Sequence, residues 1–139
     1  MSDDAFKALA KSKPLRDKFL GEMDKNKGFS VEKLKQAEDS ISKTVKRMEG
    51  PLSQSDYLLG KKLTLADFAI LPSMIRMEDL GYEFLWKDCP GVAAWMVRMK
   101  NRRSYSAAYY GGSLLSQQYP GIREEHQAQR AFALANSAA

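Results

Sequence analysis

The chain has 139 residues, a length that suits a single folded domain. Hydrophobic residues make up 44% and charged residues 28%, which is ordinary for a globular protein and argues against a disordered or collagen-like chain. The single cysteine, Cys89, excludes a disulfide framework. With only one histidine as well, His126, a transition-metal site built by the protein or a histidine-dependent catalytic triad is not expected.

The charge balance and the apolar runs bear on location and partners. Lys and Arg number 22 against 17 Asp and Glu, a formal net charge of +5. The basic residues of the N-terminal part alternate with acidic ones, which is typical of a solvated helix face, and no aromatic residues interleave with them as nucleic-acid stacking requires. No secretory signal or run of ~20 apolar residues is present. We expect a cytoplasmic protein that binds neither nucleic acid nor membrane.

The hydrophobic pattern is helical throughout, and no segment alternates long enough to predict a strand. A first helical segment is predicted over residues 4–27, with a bend at Pro14 and an end at Gly28. A second begins at a Ser30 cap and ends at Gly50-Pro51. Its apolar stripe recurs with the helical period at Val31, Leu34, Ala37, Ile41, Val45 and Met48.

The third predicted helix has the clearest start. Thr64 stands at the N-cap and Asp67 three positions later, which is the spacing of a capping box, and Leu63 and Phe68 occupy the two hydrophobic-staple positions. A direct chemical role for Thr64 and Asp67 is far less favoured than this structural one. From Phe68 to Ile75 no residue is charged, so the segment lacks a polar face. We therefore predict a buried central helix that its neighbours surround, bent at Pro72.

The remaining pattern predicts further helices. A fourth helix follows Pro90, with an apolar stripe that is more typical of a core than of a ligand pocket. A short fifth helix is predicted from Tyr105 to Tyr110. We divide the chain into a helical domain at residues 1–122 and an Ala/Gln-rich tail at residues 123–139 that can also be helical. The stripe of the fourth helix comprises Val92, Trp95, Met96 and Met99.

Two motifs resemble a known family. Residues 57–60 (Tyr-Leu-Leu-Gly) and 63–68 (Leu-Thr-Leu-Ala-Asp-Phe) resemble the capping-box and staple segment of the glutathione transferase C-terminal helical domain. A softer pattern follows, at Pro90, Val92, Trp95, Arg98 and Arg103. Residues 95–109 look most like bacterial transferases that cleave aryl ethers or remove halogen from aromatics, although these often have Pro where this chain has Ser104. The resemblance implies an all-α helical bundle.

The resemblance also implies a partner. A transferase of this kind begins with a thioredoxin-like domain that binds glutathione and activates its thiol, and these residues show no βαβ pattern. We therefore assign no catalytic or glutathione-binding residue to this chain and expect it to be inactive alone. Glutathione becomes a cosubstrate only where a thioredoxin-like domain is supplied, in cis or in trans, and a homodimer is also expected.

The candidate substrate-binding residues come from aromatic content and from the resemblance. Four tyrosines lie within fifteen residues beside Gly111-Gly112, and their flat faces with polar tips suit an aromatic electrophile. In proteins that this chain resembles, the acceptor substrate lies against the first helix and the segments near the end of the domain. That placement makes Phe6, Leu9, Tyr109 and Tyr110 the candidates, with ordinary packing as the alternative.

Two main hypotheses of function remain open at this stage. The first is the substrate-binding domain of a glutathione transferase, which supplies one wall of a hydrophobic acceptor pocket for a small aromatic substrate. The second is a free-standing, non-catalytic interaction module. A carrier of small apolar molecules is a weaker third hypothesis.

Overall fold

The computed structural model describes residues 2–12 and 29–137. The predicted bend at Pro14 and helix end at Gly28 lie outside these residues. The chain divides into two compact units, residues 1–40 and 41–139.

The first unit contains α1, Asp3–Lys11, and the start of α2, Val31–Leu52. Ser2 begins α1, because its hydroxyl oxygen accepts a hydrogen bond from the Ala5 amide at 3.2 Å. The predicted Ser30 cap of α2 is confirmed, since its hydroxyl accepts from the Lys33 amide at 3.3 Å.

The second unit is helical in every part that the structure describes, which confirms the predicted all-α fold. After α2, the elements are α3 at Leu65–Asp79, a 3₁₀ turn at Glu83–Trp86, α4 at Pro90–Lys100, α5 at Arg103–Ala108, α6 at Leu115–Gln118 and α7 at Ile122–Ser137. No helix within residues 2–12 and 29–137 is long and apolar enough to cross a membrane.

The core of this unit is built on α4. The predicted stripe is confirmed, because Val92, Trp95, Met96 and Met99 are all buried. They pack with Val45 and other buried residues of α2, α3, the 3₁₀ turn and the loop before α4. These others are Met48, Leu52, Leu71, Met74, Ile75, Trp86 and Cys89. Burial of this apolar surface is the main source of the unit's stability.

Asp67 links three segments at the start of α3. Its Oδ2 accepts hydrogen bonds from the Thr64 amide at 2.9 Å and the Thr64 hydroxyl at 3.0 Å, so the predicted capping box is present. Its Oδ1 accepts from the Leu58 amide at 3.0 Å and the Trp95 indole at 2.9 Å. Burial alone would raise the pKa of Asp67, but these hydrogen bonds outweigh it and lower the pKa below its ordinary value.

The loop before α3 positions the Leu58 amide that donates to Asp67. Tyr57 and Gly60 exchange two backbone hydrogen bonds, at 3.0 and 3.1 Å, which closes a tight turn around Leu58. Gly60 has a φ of 118°, a conformation that favours glycine. Arg98 holds the same loop from α4, through an ion pair of 3.3 Å with Asp56.

Two further carboxylates bind helix N-termini from neighbouring helices. Glu49 of α2 accepts from the Gly91 and Val92 amides of α4, at 3.0 and 2.9 Å. Asp79 of α3 accepts from the Leu115 amide of α6 at 2.8 Å. Because the first amides of a helix lack partners within it and carry partial positive charge, these contacts hold α4 and α6 in place.

Two expectations from the sequence are corrected. The second helix does not end at Gly50-Pro51; it continues to Leu52, because the Ser53 amide still bonds to the Glu49 carbonyl at 2.8 Å although Pro51 itself donates no hydrogen bond. The third helix is buried on its inner face, as predicted, but it is not enclosed on all sides.

The exposed side of α3 is apolar. Leu65 is 85% exposed and Phe68 is 41% exposed, and Pro72 lies on the same side within a continuous helix. These three residues and the exposed Ala69 form a surface that we call the outer face of α3. The apolar residues of α3 therefore form two faces, one buried in the core and one exposed.

Candidate functional site

An apolar pocket lies where α3, α4 and α5 meet. Its volume is about 230 Å³. Because Phe68 and Pro72 belong both to the pocket wall and to the outer face of α3, the pocket adjoins the exposed apolar surface. The lining residues are Phe68, Leu71, Pro72, Met99, Arg102, Ser104, Tyr105, Ala108 and Tyr109.

A pair of tyrosines forms one wall of this pocket. Tyr105 and Tyr109 are one helical turn apart, and their rings stack with centroids 4.7 Å apart and an interplanar angle of 29°. Burial, reinforced by Tyr105, raises the pKa of Tyr109, and Arg76 acts in the opposite direction. The Tyr109 phenol is therefore protonated at neutral pH and can donate a hydrogen bond to a ligand.

The structure places the four predicted substrate-binding residues differently. Tyr109 lines the pocket. Tyr110 is 68% exposed and is not part of the lining, because α5 ends at Ala108 and the chain turns away toward Gly111-Gly112. Phe6 is half-buried and Leu9 is 42% exposed, and both belong to the first unit. A role for Phe6, Leu9 and Tyr110 in substrate binding stays a prediction.

Arg102 is a site residue that the sequence analysis missed. It lies between α4 and α5 and lines the pocket. Its Nε atom is buried and has no hydrogen-bond partner among the described residues. Its guanidinium carbon lies 6.0 Å from the centroid of the Phe68 ring. Helical periodicity alone gives no sign of such an unpaired donor, which depends on tertiary packing.

A second and larger cavity, of about 430 Å³, lies beside α7. Its charged groups are engaged with the chain itself: Arg130 lies 3.9 Å from the centroid of the Phe84 ring, and Arg123 forms an ion pair with Glu83. None of the predicted substrate-binding residues lines it. We therefore take the pocket of Tyr105 and Tyr109 as the candidate site.

Comparison with known proteins now decides the family. The profile of the glutathione S-transferase C-terminal domain matches residues 6–103, more than half of the chain. The chain belongs to this family. In this glutathione S-transferase C-terminal domain, the matched range includes the capping box, the outer face of α3 and Arg102.

Two curated relatives are similar to parts of this domain. FtsZ-localized protein A of Caulobacter vibrioides is 25% identical over 89 residues, which cover 64% of this chain and 36% of the relative. Glutathione S-transferase F10 of Arabidopsis thaliana is 30% identical over 81 residues, which cover 56% of this chain and 38% of the relative. The match thus spans little more than a third of each relative's length. No solved structure matches the chain at a significant level.

Other reactive groups of the domain offer little chemistry of their own. Cys89 is buried, and burial together with the charges of Glu49 and Asp88 raises the pKa of its thiol, with Lys46 opposing them. Among the described residues, no cluster of His, Cys, Asp and Glu could hold a metal ion. The pocket can therefore bind a ligand by shape, stacking and hydrogen bonding.

Proposed function

We propose that this domain forms one wall of the hydrophobic acceptor site of a glutathione transferase, whose substrate is a small electrophilic aromatic molecule. The observation that carries the proposal is the stacked pair of Tyr105 and Tyr109 in an apolar pocket. An aromatic ring packs well against such a wall, through offset stacking or edge-to-face contact.

The residues of the pocket bind and orient the substrate. Leu71 and Met99 provide a buried apolar floor that excludes water, and Tyr105 and Tyr109 provide a flat wall. The protonated Tyr109 phenol can donate a hydrogen bond to an ether oxygen or halogen of the substrate. In the proposed reaction, the thiolate of glutathione, held by a thioredoxin-like domain, attacks the electrophilic carbon. A carbon–sulfur bond forms, and the carbon–oxygen or carbon–halogen bond breaks as the alkoxide or halide leaves.

The exposed apolar residues of the outer face of α3 support the proposal that a thioredoxin-like domain binds there. Leu65, at the start of α3, is 85% exposed, and Leu59, in the loop before the helix, is 74% exposed. Large apolar side chains this exposed, beside a binding pocket, are typical of a surface that another domain covers. We infer that a thioredoxin-like domain covers this face and closes the pocket. Homodimerisation, a cytoplasmic location and the aryl-ether or dehalogenating subtype belong to the same proposal.

Ligand binding by the 139-residue chain tests the aromatic site directly. The probe is 4-nitroanisole, an aryl ether that lacks a good leaving group, and the measurement is its dissociation constant by ligand-observed NMR. Tyr109→Ala should weaken binding by roughly tenfold, because it removes the stacking surface and the phenol. Tyr119→Ala, at a tyrosine that is 60% exposed and outside the pocket lining, is the matched control and should leave binding unchanged. Equal effects of the two substitutions, or no binding to the wild-type chain, would refute the aromatic site.

A second candidate function is a non-catalytic interaction module. One relative is named for its localisation with FtsZ, and the outer face of α3 is apolar enough to bind another protein. The coding sequence ahead of residue 1 separates the two candidates: a thioredoxin-like domain there supports the enzyme. A stoichiometric protein partner that binds the chain, is lost with Leu65→Asp and is kept with Tyr109→Ala supports the module.

A further inference from the structure

The pocket between α3, α4 and α5 has a buried end and an open end. Leu71 and Met99 line it and are 7% and 0% exposed, so they form its floor. Phe68, Pro72 and Ala108 also line it but are exposed, so they lie at its mouth. A ligand that fills the pocket therefore has one end on the floor and the other end at the mouth.

One face of α5 is turned toward this pocket. Ser104, Tyr105 and Ala108 belong to the lining, whereas Arg103, Ser106 and Ala107 do not. Because residues three and four positions apart share one face of a helix, this pattern places the side chain of Ala108 on the pocket side of α5 and that of Ala107 away from it.

The small side chain of Ala108 keeps the mouth open. Phe68 and Pro72 belong to α3 and Ala108 belongs to α5, so the mouth lies between these two helices. A longer aliphatic side chain at position 108 would extend into the opening and occupy space that a ligand needs. Ala108 is exposed, so such a change should leave the packed core intact.

The volume of the pocket limits what lies on the floor. An apolar cavity of about 150 Å³ is enough to hold benzene. The pocket here has about 230 Å³, which suits one aromatic ring with a small substituent. The ring belongs at the buried end, where it contacts Leu71 and Met99 and packs against Tyr105. A longer substituent has to project through the mouth.

We infer that Ala108 is a specificity-determining residue, which lets single-ring aromatic compounds bind with the ring on the floor and the leaving group at the mouth. This inference rests on the proposed aromatic acceptor site and narrows its substrate class to single-ring alkyl aryl ethers and aryl halides. The mouth adjoins the outer face of α3, where the thioredoxin-like domain is proposed to bind. The ring carbon that bears the leaving group is then on the side from which the glutathione thiolate attacks.

Binding of 2-phenoxyethanol, a soluble ether with one ring and one flexible tail, tests the inference. Its dissociation constant for the 139-residue chain is measured by ligand-observed NMR. Ala108→Leu should weaken binding at least tenfold, because the larger side chain fills the mouth. Ala107→Leu is the matched control: it adds the same side chain to the same helix at an exposed position outside the lining, and binding should stay within about twofold. Thermal unfolding shows that each variant is folded before its binding is measured.

The orientation of the ligand is tested on the wild-type chain and so does not depend on any variant. We expect nuclear Overhauser contacts between the ring protons of 2-phenoxyethanol and the Met99 methyl group, and between its tail protons and the Ala108 methyl group. The opposite set of contacts, with the tail against Met99, would overturn the inference.

The outcomes distinguish this inference from the proposal on which it rests. If 2-phenoxyethanol binds in a Tyr109-dependent manner but the two leucine variants weaken it equally, the inference about Ala108 is overturned and the aromatic site stands. If 4-nitroanisole binds and 2-phenoxyethanol does not, the inference again falls alone. If neither compound binds to the wild-type chain, both the inference and the aromatic site are overturned.

Discussion

The indole nitrogen of Trp95 donates a hydrogen bond to Oδ1 of Asp67 across 2.9 Å, between residues 28 positions apart in the chain. Both side chains are fully buried. The contact joins the middle of α4 to the first turn of α3, so it fixes one side of the candidate pocket. The same carboxylate anchors the loop at Leu58 and the cap at Thr64.

Loss of the hydrogen bond between Trp95 and Asp67 should lower the free energy of unfolding more than loss of the same buried ring area at another tryptophan. We predict that Trp95→Phe lowers the free energy of unfolding by ~1–3 kcal/mol more than packing alone explains, because Asp67 keeps its buried charge with one donor fewer. Urea unfolding measures the effect. Trp86→Phe, at a residue that is 6% exposed, is the matched control for packing. Equal losses in the two variants would contradict a special contribution from Trp95.

The lowered pKa of Asp67 makes stability depend on pH in a defined direction. Because the pKa in the folded state lies below the ordinary value of 3.8, the carboxylate stabilises the fold above that value, and this contribution is lost as the pH falls through the folded-state pKa. The free energy of unfolding of the wild type should exceed that of Asp67→Asn at neutral pH, and the difference should shrink in acid below about pH 4. A difference that stays constant down to the lowest pH at which the chain folds would contradict this prediction.

Gly91 should resist substitution because α4 starts against the backbone of α2. A Cβ atom there would lie 2.7 Å from the carbonyl carbon of Leu52 and 2.8 Å from its oxygen. Gly91→Ala should therefore destabilise the fold by ~1–3 kcal/mol. Gly111→Ala is the control, since its φ is not positive and nothing beyond its chain neighbours lies within 4 Å of its Cβ position, and it should change the free energy of unfolding by less than ~0.5 kcal/mol. Thermal unfolding of both variants checks the pair, and a stable Gly91→Ala variant would argue against this packing of α4.

The thiol of Cys89 should react slowly in the native chain. It is 7% exposed, and its raised pKa keeps it protonated near neutral pH. Modification by a chromogenic disulfide reagent at about pH 7.5 should be at least an order of magnitude slower in the folded chain than in urea. Equal modification rates in the folded chain and in urea would contradict this prediction, because they would show that the N-terminus of α4 opens readily.

Local patterns in the sequence predicted much of this fold. The Thr64–Asp67 spacing and the Trp95–Met99 stripe follow from helix geometry over a few residues, and the structure confirms both. Tyr109 was also predicted as a candidate, and it lines the pocket. The first two features depend on residues within one or two helical turns, whereas the choice of Tyr109 came from aromatic content and from the family resemblance.

The features that the sequence did not predict depend on tertiary packing. The apolar residues Phe68 and Pro72 predicted enclosure, but hydrophobicity cannot distinguish a surface buried within the chain from one left open. The position of Arg102 in the pocket lining, near the Phe68 ring, arises only when α3, α4 and α5 are brought together. The exclusion of Tyr110 from the pocket depends on where α5 ends, and helix ends are hard to place from sequence.

The central claim is that aromatic ligands bind between α3, α4 and α5. The most direct measurement is a two-dimensional NMR titration of the isotope-labelled chain with 4-nitroanisole. We predict saturable shifts at the Met99 methyl group and at the Tyr105 and Tyr109 signals, with little change at Gly81 and His126 beside the larger cavity. Shifts confined to Gly81 and His126, or no saturable shift at Met99, would contradict the claim.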